Sequence, residues 1–466
     1  MRRGWKWLLT RQYGGGRIAP ADLIALFALL ALAAALYWRS NLSGLQLVAY
    51  APTNNATAVS NQPFLSLTFA EAVANPEALE LRTTPPFSYT IRWQEATATI
   101  QPLRPLQPET RYEVELQAGL VGHSGKTLHR PVRWQFTTRP ARILYLGWDG
   151  ADQAQLFLLD PATEQPQQLT QSSQGILDYD HDLSGDRLVY AALRADGGAD
   201  LWLHDLVSGN TQLLLDCGKL ADQPSCQNPV WRPGSELIAY EQRPVSAVAS
   251  GNEARLFWLD AATGETQPMF QDAAWLSSGA SFSPDGAWLA YLAPTEPSLR
   301  LLNLETGAEE VLPSQAGQPA SWHPAGTAII AGDLHLLANG FALHMYLVSL
   351  TDENIEDLSG GMDTEEAGAV WSHDGQWLAF GRKTPRVNVG RQIWIQALAT
   401  GERQQLTDLL TINHSVLSWS FDDSQLLFQR FDLAAPGEKP SVWLLDVADG
   451  AVRELAPAGF LPAWLP

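Results

Sequence analysis

One unit recurs seven times between about residue 142 and residue 466, and that periodicity constrains the fold more than any other feature of the chain. The second half of the unit reads as an alternating strand, a turn and another strand. It appears as LFLLDPATEQPQQLT, LWLHDLVSGNTQLLL, FWLDAATGETQPMF, LRLLNLETGAEEVL, MYLVSLTDENIEDL, IWIQALATGERQQLT and VWLLDVADGAVREL. The first of these strands ends at Asp160, Asp205, Asp260, Asn303, Ser349, Ala397 and Asp446, at intervals of 45, 55, 43, 46, 48 and 49 residues. The first half of the unit is a hairpin: HDLSGDRLVY from His181, WRPGSELIAY from Trp231, FSPDGAWLAY from Phe282, WHPAGTAIIA from Trp322, WSHDGQWLAF from Trp371 and WSFDDSQLLF from Trp419. A strand end, a tight Pro/Asp/Gly turn and an alternating apolar strand are what a two-stranded hairpin requires.

Four strands, A to D, with a period near 45 residues predict a seven-bladed β-propeller over 142–466. The seven C–D units have only six leading hairpins, because the first repeat opens directly on strand B at ILYLGW. The missing strand A is expected at the far end, where Pro462 and Trp464 in PAGFLPAWLP stand as Pro229 and Trp231 stand in NPVWRP. Such a closure removes free sheet edges. The SPDG-type hairpin followed by an LWLxDLxTG-type strand pair resembles the TolB-type propeller repeats, which also occur in the propeller domains of prolyl oligopeptidase-like peptidases. That resemblance implies the fold; the repeated residues are turn and packing positions and imply no chemistry.

Residues 47–139 read differently. Leu65, Leu67 and Phe69 alternate, as do Tyr112, Val114 and Leu116, and Trp134 and Phe136 close the segment on a strand, which fits a small β-sandwich. Pro52, Ala56, Thr57 and Val59, then Leu67-Thr68-Phe69, then Leu106, Pro108, Thr110, Tyr112 and Val114, and last Trp134 with Phe136-Thr137-Thr138 resemble the bacterial Ig-like domain of envelope proteins. The resemblance implies a spacer or adhesion module.

Ahead of both lies Leu23–Trp38, an uncharged run preceded by the basic segment 1–22. Sixteen helical residues span about 24 Å, short of the roughly 30 Å hydrocarbon core, and an extension back to Ile18 reaches further. Tyr37, Trp38 and Arg39 form an interfacial end. The expected fold is therefore all-β, a seven-bladed propeller preceded by an Ig-like sandwich and a single N-terminal transmembrane helix over 23–38. The basic residues ahead of the run place the N-terminus in the cytoplasm and the remainder outside, anchored in the cell membrane. A cleaved signal peptide with Ala33 and Ala35 at its site is the alternative.

The net charge of -20 argues against nucleic acid as a partner, since phosphate binding needs clustered cations. Cys217 and Cys226, the only cysteines, fall in one loop and are expected to form a disulfide; a metal site is the other possibility and would need further ligands. The nine His show no metal spacing, no G-x-S-x-G is present, and the acidic run Asp178–Asp186 fails the calcium-loop pattern. No catalytic, cofactor or metal set is expected. The Trp at 231, 322, 371, 419 and 464 share one inner-strand position and are expected in the blade core.

The long connections all join B to C (243–254, 382–392, 430–440) or D to A (216–228). These emerge on one face of the disc, where binding is expected. They carry Arg243, Arg255, Arg382, Lys383, Arg386, Arg391, Arg430 and Lys439, which form either a basic patch for an anionic ligand or loop charges paired with local acids. The expected role is recognition of an envelope protein or glycan by a monomeric ectodomain. An enzyme, such as a glycan lyase or hydrolase with its site in the central funnel, is the alternative.

Overall fold

The computed structural model describes residues 29–31, 44–245, 253–272, 274–338, 340–352, 354–360, 363–385 and 387–466. Its first unit is a sandwich of two four-stranded sheets. One holds Leu47–Ala51, Leu65–Phe69, Thr97–Pro102 and Tyr89–Gln94; the other holds Ala56–Val59, Val132–Thr138, Arg111–Leu116 and Leu81–Thr84. The alternating residues meet between the sheets: Leu65, Leu67, Ile100, Val114, Leu116 and Phe136 are almost wholly buried. Period-two alternation puts every second side chain on the inner face, so a one-residue slip would expose them all.

Seven further sheets of four antiparallel strands follow. Blade 2 (Ile176–His181, Arg187–Leu193, Ala199–Asp205, Thr211–Leu215) shows the plan, with strand A innermost and D outermost. Blades 3, 4, 5, 6 and 7 begin with Ser225–Trp231, Ser278–Phe282, Ser321–Trp322, Glu365–Trp371 and Ile412–Trp419. Blade 1 takes strands B to D from Arg142–Trp148, Ala154–Asp160 and Gln165–Gln168 and its strand A from Gly459–Leu465. There Ala463 pairs with Leu144 and Trp464 with Ile143, so the first and last strands of the ring share one sheet. Apolar clusters lie between successive blades; one joins Ala379, Ile393 and Ile395 of blade 6 to Trp419, Leu426 and Phe428 of blade 7. The repeated Trp sits in these seams. Trp371 donates its indole N–H to the Ser321 carbonyl (3.1 Å) and Trp419 donates to that of Val370 (3.2 Å), tying each strand A to the one before.

Most inner strands carry a bulge, and its central residue lies in the left-handed region: Asn228 (φ 50), Gly279 (φ 63), Gly368 (φ 66), Val416 (φ 52) and Leu461 (φ 48). A bulge frees a backbone N–H from the ladder. At three bulges the preceding blade supplies the acceptor. Asp178 Oδ2 takes the Asn228 N–H (2.9 Å), Glu241 Oε1 that of Gly279 (2.9 Å) and Gln429 Oε1 that of Leu461 (2.9 Å).

The expected single-pass membrane placement is corrected. Among the described residues no helix is long and apolar enough to cross a membrane. Of the 23–38 run the structure describes only residues 29–31, which are helical. The remainder of that run lies outside the described residues.

Candidate binding face

The two faces of the disc have different surroundings. The A–B turns stand on one face, and the Ig-like unit is seated on them. Arg139, at the end of the sandwich, is nearly buried and pairs with Asp186 in the blade 2 turn (2.6 Å) while also donating to the backbone oxygens of Ser184 and Pro466. Ser60 donates to the Ser184 carbonyl (2.7 Å), Arg92 to that of Asp285 in blade 4 (3.3 Å) and Arg104 to that of Asp374 in blade 6 (3.5 Å). Tight turns leave carbonyls pointing outward, and guanidinium groups are suited to collect them. A polar and apolar cleft of about 770 Å³ remains between Phe87, Leu103 and Tyr112 of the sandwich and His323, His373 and Asp374 of the propeller.

The opposite face carries the B–C and D–A connections. Its inner wall is partly acidic. Asp178 and Asp180 of blade 2 face Trp231 and Asn228 of blade 3, where Asp180 Oδ2 accepts the Trp231 N–H (2.6 Å) and Glu241 Oε2 accepts from the Asn228 side chain (2.9 Å) and from Arg243 (2.6 Å). Burial pushes the Asp178 carboxyl up to about 7 against the opposing pull of the Asn228 N–H; nearby Glu241 adds to the rise and Arg243 opposes it. Among the described residues Asp178 Oδ1 has no hydrogen-bond partner. Across the ring, Glu366 is fully buried and accepts from Ser359 (2.6 Å) and Arg403 (2.8 Å). His414 is buried beside the Arg391 carbonyl (2.8 Å), and burial pushes its ring down to about 4. Between blades 5, 6 and 7 the wall is instead largely apolar, with an open cleft of about 500 Å³ lined by Pro319, Ile330, Met345, Ala369, Val370 and Leu417 among others.

The basic residues of the connections are engaged locally. Arg243 meets Glu241 (2.6 Å), Arg382 meets Glu366 (3.3 Å) and lies over Trp394, Lys383 and Arg391 share Glu365 (3.6 and 3.8 Å), and Lys439 reaches Asp152 and Trp148 of blade 1. Arg430 stacks on Trp443 (3.7 Å to the ring centre) and Arg255 on Phe257 (5.6 Å). Arg386 lies outside the described residues. Cys217 and Cys226 are joined in a disulfide with Cα atoms 6.2 Å apart. Among the repeated Trp, those at 231, 371, 419 and 464 are buried and Trp322 is half-buried.

The loop-bearing face leaves exposed a set of apolar residues that sequence reading passes over. Leu336 (84% exposed) and Phe341 (68%) cap a long hairpin in blade 5, Val387 and Val389 lie in the B–C connection of blade 6, Leu409 and Leu410 follow its strand D, and Leu433 lies in the B–C connection of blade 7. The Val389 N–H bonds the Leu410 carbonyl (2.9 Å) and the Leu433 N–H that of Thr411 (2.9 Å), so blades 6 and 7 hold their part of the set together. Among the described residues, every exposed large apolar side chain on this face belongs to blades 5 to 7. Each residue is unremarkable singly; only the ring brings segments about 50 residues apart to one face, and grouped exposed apolar side chains mark contact surfaces.

Residues 43–138 match the family described as bacterial Ig-like domain. Among curated proteins none matches the chain in sequence. Solved structures similar to it include TolB from Acinetobacter baumannii, 15% identical over 77% of this chain and 81% of that one with a TM-score of 0.42. An oligogalacturonate lyase in complex with manganese is 18% identical, covering 68% and 86%, with a TM-score of 0.47. A puromycin-hydrolyzing peptidase of Mycobacterium tuberculosis is 14% identical with a TM-score of 0.50; the match covers 68% of this chain and 53% of the peptidase. At such identities the likeness concerns fold alone. The N-terminal unit is thus a member of the bacterial Ig-like domain family, and the unit that follows is a β-propeller by its own seven four-stranded sheets.

Proposed function

We propose that this chain is a binding propeller that holds a protein segment against the loop-bearing rim of blades 5 to 7, with the Ig-like unit as a spacer on the other face. The observation that supports the reading most is that, among the described residues of the loop-bearing connections, the exposed Leu, Val and Phe lie on blades 5 to 7, while much of the turn face is occupied by the sandwich. A protein segment suits the rim better than a glycan. The rim's exposed side chains are Leu and Val with the single aromatic ring of Phe341, and four of the five repeated Trp are buried in the seams, so the rim offers apolar contact more than a stacking platform. Lys383 and Arg391 beside Glu365 supply a charged border to an apolar centre, the usual anatomy of a protein contact. The funnel-enzyme reading has weaker support. The inner-wall acids Asp178, Asp180, Glu241 and Glu366 each already serve a backbone N–H or an arginine.

Photo-crosslinking residues placed at 336, 341 and 410, with position 207 on the turn face as control, test the proposal in cells that make the protein. Val207 is as exposed as the rim residues. One protein species joined from the rim positions and absent at 207, and lost in Leu336→Asp/Phe341→Asp, is the expected result. Equal labelling from 207, or a species unaffected by the double substitution, would overturn it.

A further inference from the structure

Blade 5 departs from the repeat. Its strands B and C, Ala328–Leu337 and Gly340–Ser349, run ten residues each and project as a hairpin, with strand D at Ile355–Asp357. The register sets Asp333 opposite His344, His335 opposite Ala342, and Tyr346 opposite Asp357. Side chains alternate across a sheet, so His335, His344, Tyr346 and Asp357 emerge on one face.

There the donors converge. His344 is fully buried and its Nδ1 lies 3.0 Å from Asp357 Oδ2; His335 is a third exposed and its Nδ1 lies 3.7 Å from the same oxygen. The two imidazoles stack with ring centres 4.2 Å apart. A separation of 3.7 Å is too long for a hydrogen bond. Ligands bound at zinc-like distances around a tetrahedron stand about 3.3 Å apart, and the two observed separations bracket that value. The carboxylate is itself oriented, because Asp357 Oδ1 accepts the Ser359 N–H (2.9 Å), the kind of outer support that metal ligands use. Neighbouring Asp333 is committed elsewhere, accepting the N–H groups of Gln315 (2.7 Å) and Ala316 (3.1 Å). Tyr346 Oη is 3.2 Å from His335 Nδ1 and is the group His335 would leave on turning toward the shared point. Its exposure gives it room to turn.

We propose that His335, His344 and Asp357 bind a divalent transition metal of the zinc type, with the fourth position open to solvent on the His335 side. Two imidazoles and a carboxylate are a borderline donor set, preferring zinc, cobalt or nickel over calcium or magnesium. The ligands are nine and thirteen residues apart in sequence, which is why no spacing motif announces them. A bound ion would clamp strands B, C and D of this blade beneath Leu336 and Phe341. The site stands independently of the rim reading, since it rests on donors and not on the apolar tip.

The test uses the full chain stripped with EDTA. Calorimetric titration with zinc should show one equivalent bound, and cobalt should give visible d–d absorption of tetrahedral intensity. Asp357→Asn and His335→Ala should each weaken zinc at least tenfold and abolish the cobalt spectrum, while exposed His123→Ala should change neither. His335 is solvent-facing, so its variant is expected to fold; an unchanged metal-free melting temperature verifies that. Zinc should raise the melting temperature of the parent and not of His335→Ala. No zinc uptake by the parent, or stoichiometric uptake that survives both ligand substitutions, would overturn the proposal.

Discussion

The two faces of the propeller are built from the same repeats and have opposite chemistry. The turn face repeats one short connection and therefore presents one kind of surface, a set of outward backbone carbonyls. The Ig-like unit exploits that uniformity with three arginines, at 92, 104 and 139. The loop face varies in length and composition from blade to blade. Its charges are paired locally, and on blades 5 to 7 it leaves aliphatic side chains in water. A face fixed by turn geometry is suited to hold a constant neighbour within the chain, whereas a face of free loops is suited to acquire a partner.

The largest expected effect lies on the covered face. Arg139 is the most buried of the three arginines and joins the sandwich to the blade 2 turn and to the strand that closes the ring. Arg139→Ala leaves Asp186 without its arginine and takes one donor each from the Ser184 and Pro466 oxygens, which keep Ser60 and Arg142. We expect a loss of about 3 kcal/mol in urea unfolding, the low end for a broken buried pair because Asp186 is itself a third exposed. Arg104→Ala, which loses one long and exposed contact, should stay within about 0.5 kcal/mol. A neutral Arg139→Ala would mean that the sandwich is not seated through this residue, and the contrast between the faces would weaken.

The wall beside the open face should respond to pH. Burial raises the Asp178 carboxyl to about 7 in the folded chain, well above its value near 4 when unfolded. The folded state then holds the proton more tightly, so the stability contributed by this group is present below about 4 and is lost as pH rises toward 7. Asp178→Asn keeps an oxygen for the Asn228 N–H and cannot ionise. Its unfolding free energy should gain on that of the parent by roughly 2 kcal/mol between pH 5.5 and pH 8. A gap that does not change with pH would show that the carboxylate is already compensated, and the acidic wall would then be as settled as the turn face.

How much of this was legible follows from the same contrast. The turns announce themselves because the backbone there needs the left-handed region. Gly286 in SPDG has φ 69, and an added Cβ would meet the Pro233 carbonyl oxygen at 2.7 Å. Where the last blade writes FDDS instead, Asp423 takes that conformation (φ 59) and its carboxylate accepts the backbone N–H groups of His373 (2.7 Å) and Asp374 (3.0 Å). Alternation likewise marked Leu65, Leu67 and Phe69 as core, and the Pro462–Trp464 signature pointed to strand A of blade 1. The apolar rim was not legible. Leu336 stands near the end of strand B of blade 5 while Val389, Leu410 and Leu433 lie in three separate connections, and only ring closure brings them to one face. Nor was the blade 5 hairpin, whose alternating Leu334, His335 and Leu336 read as an ordinary strand while its tip extends past the sheet. The membrane run is the converse case: hydropathy promised a span, and among the described residues no helix is long and apolar enough to cross a membrane.

The smallest expected effect belongs to the open rim, and there the expectation is that almost nothing happens to stability. Leu336 and Phe341 have little contact to lose, so Leu336→Ser and Phe341→Ser should each change unfolding free energy by less than about 0.5 kcal/mol. The same changes should abolish crosslinking from position 410, because one partner is expected to lie across the whole rim. Retained stability with lost contact separates a surface kept for binding from one kept for packing. A loss above about 1 kcal/mol would instead place both residues in the internal packing of the chain. The loop face would then be closed from within, as the turn face is closed by the sandwich.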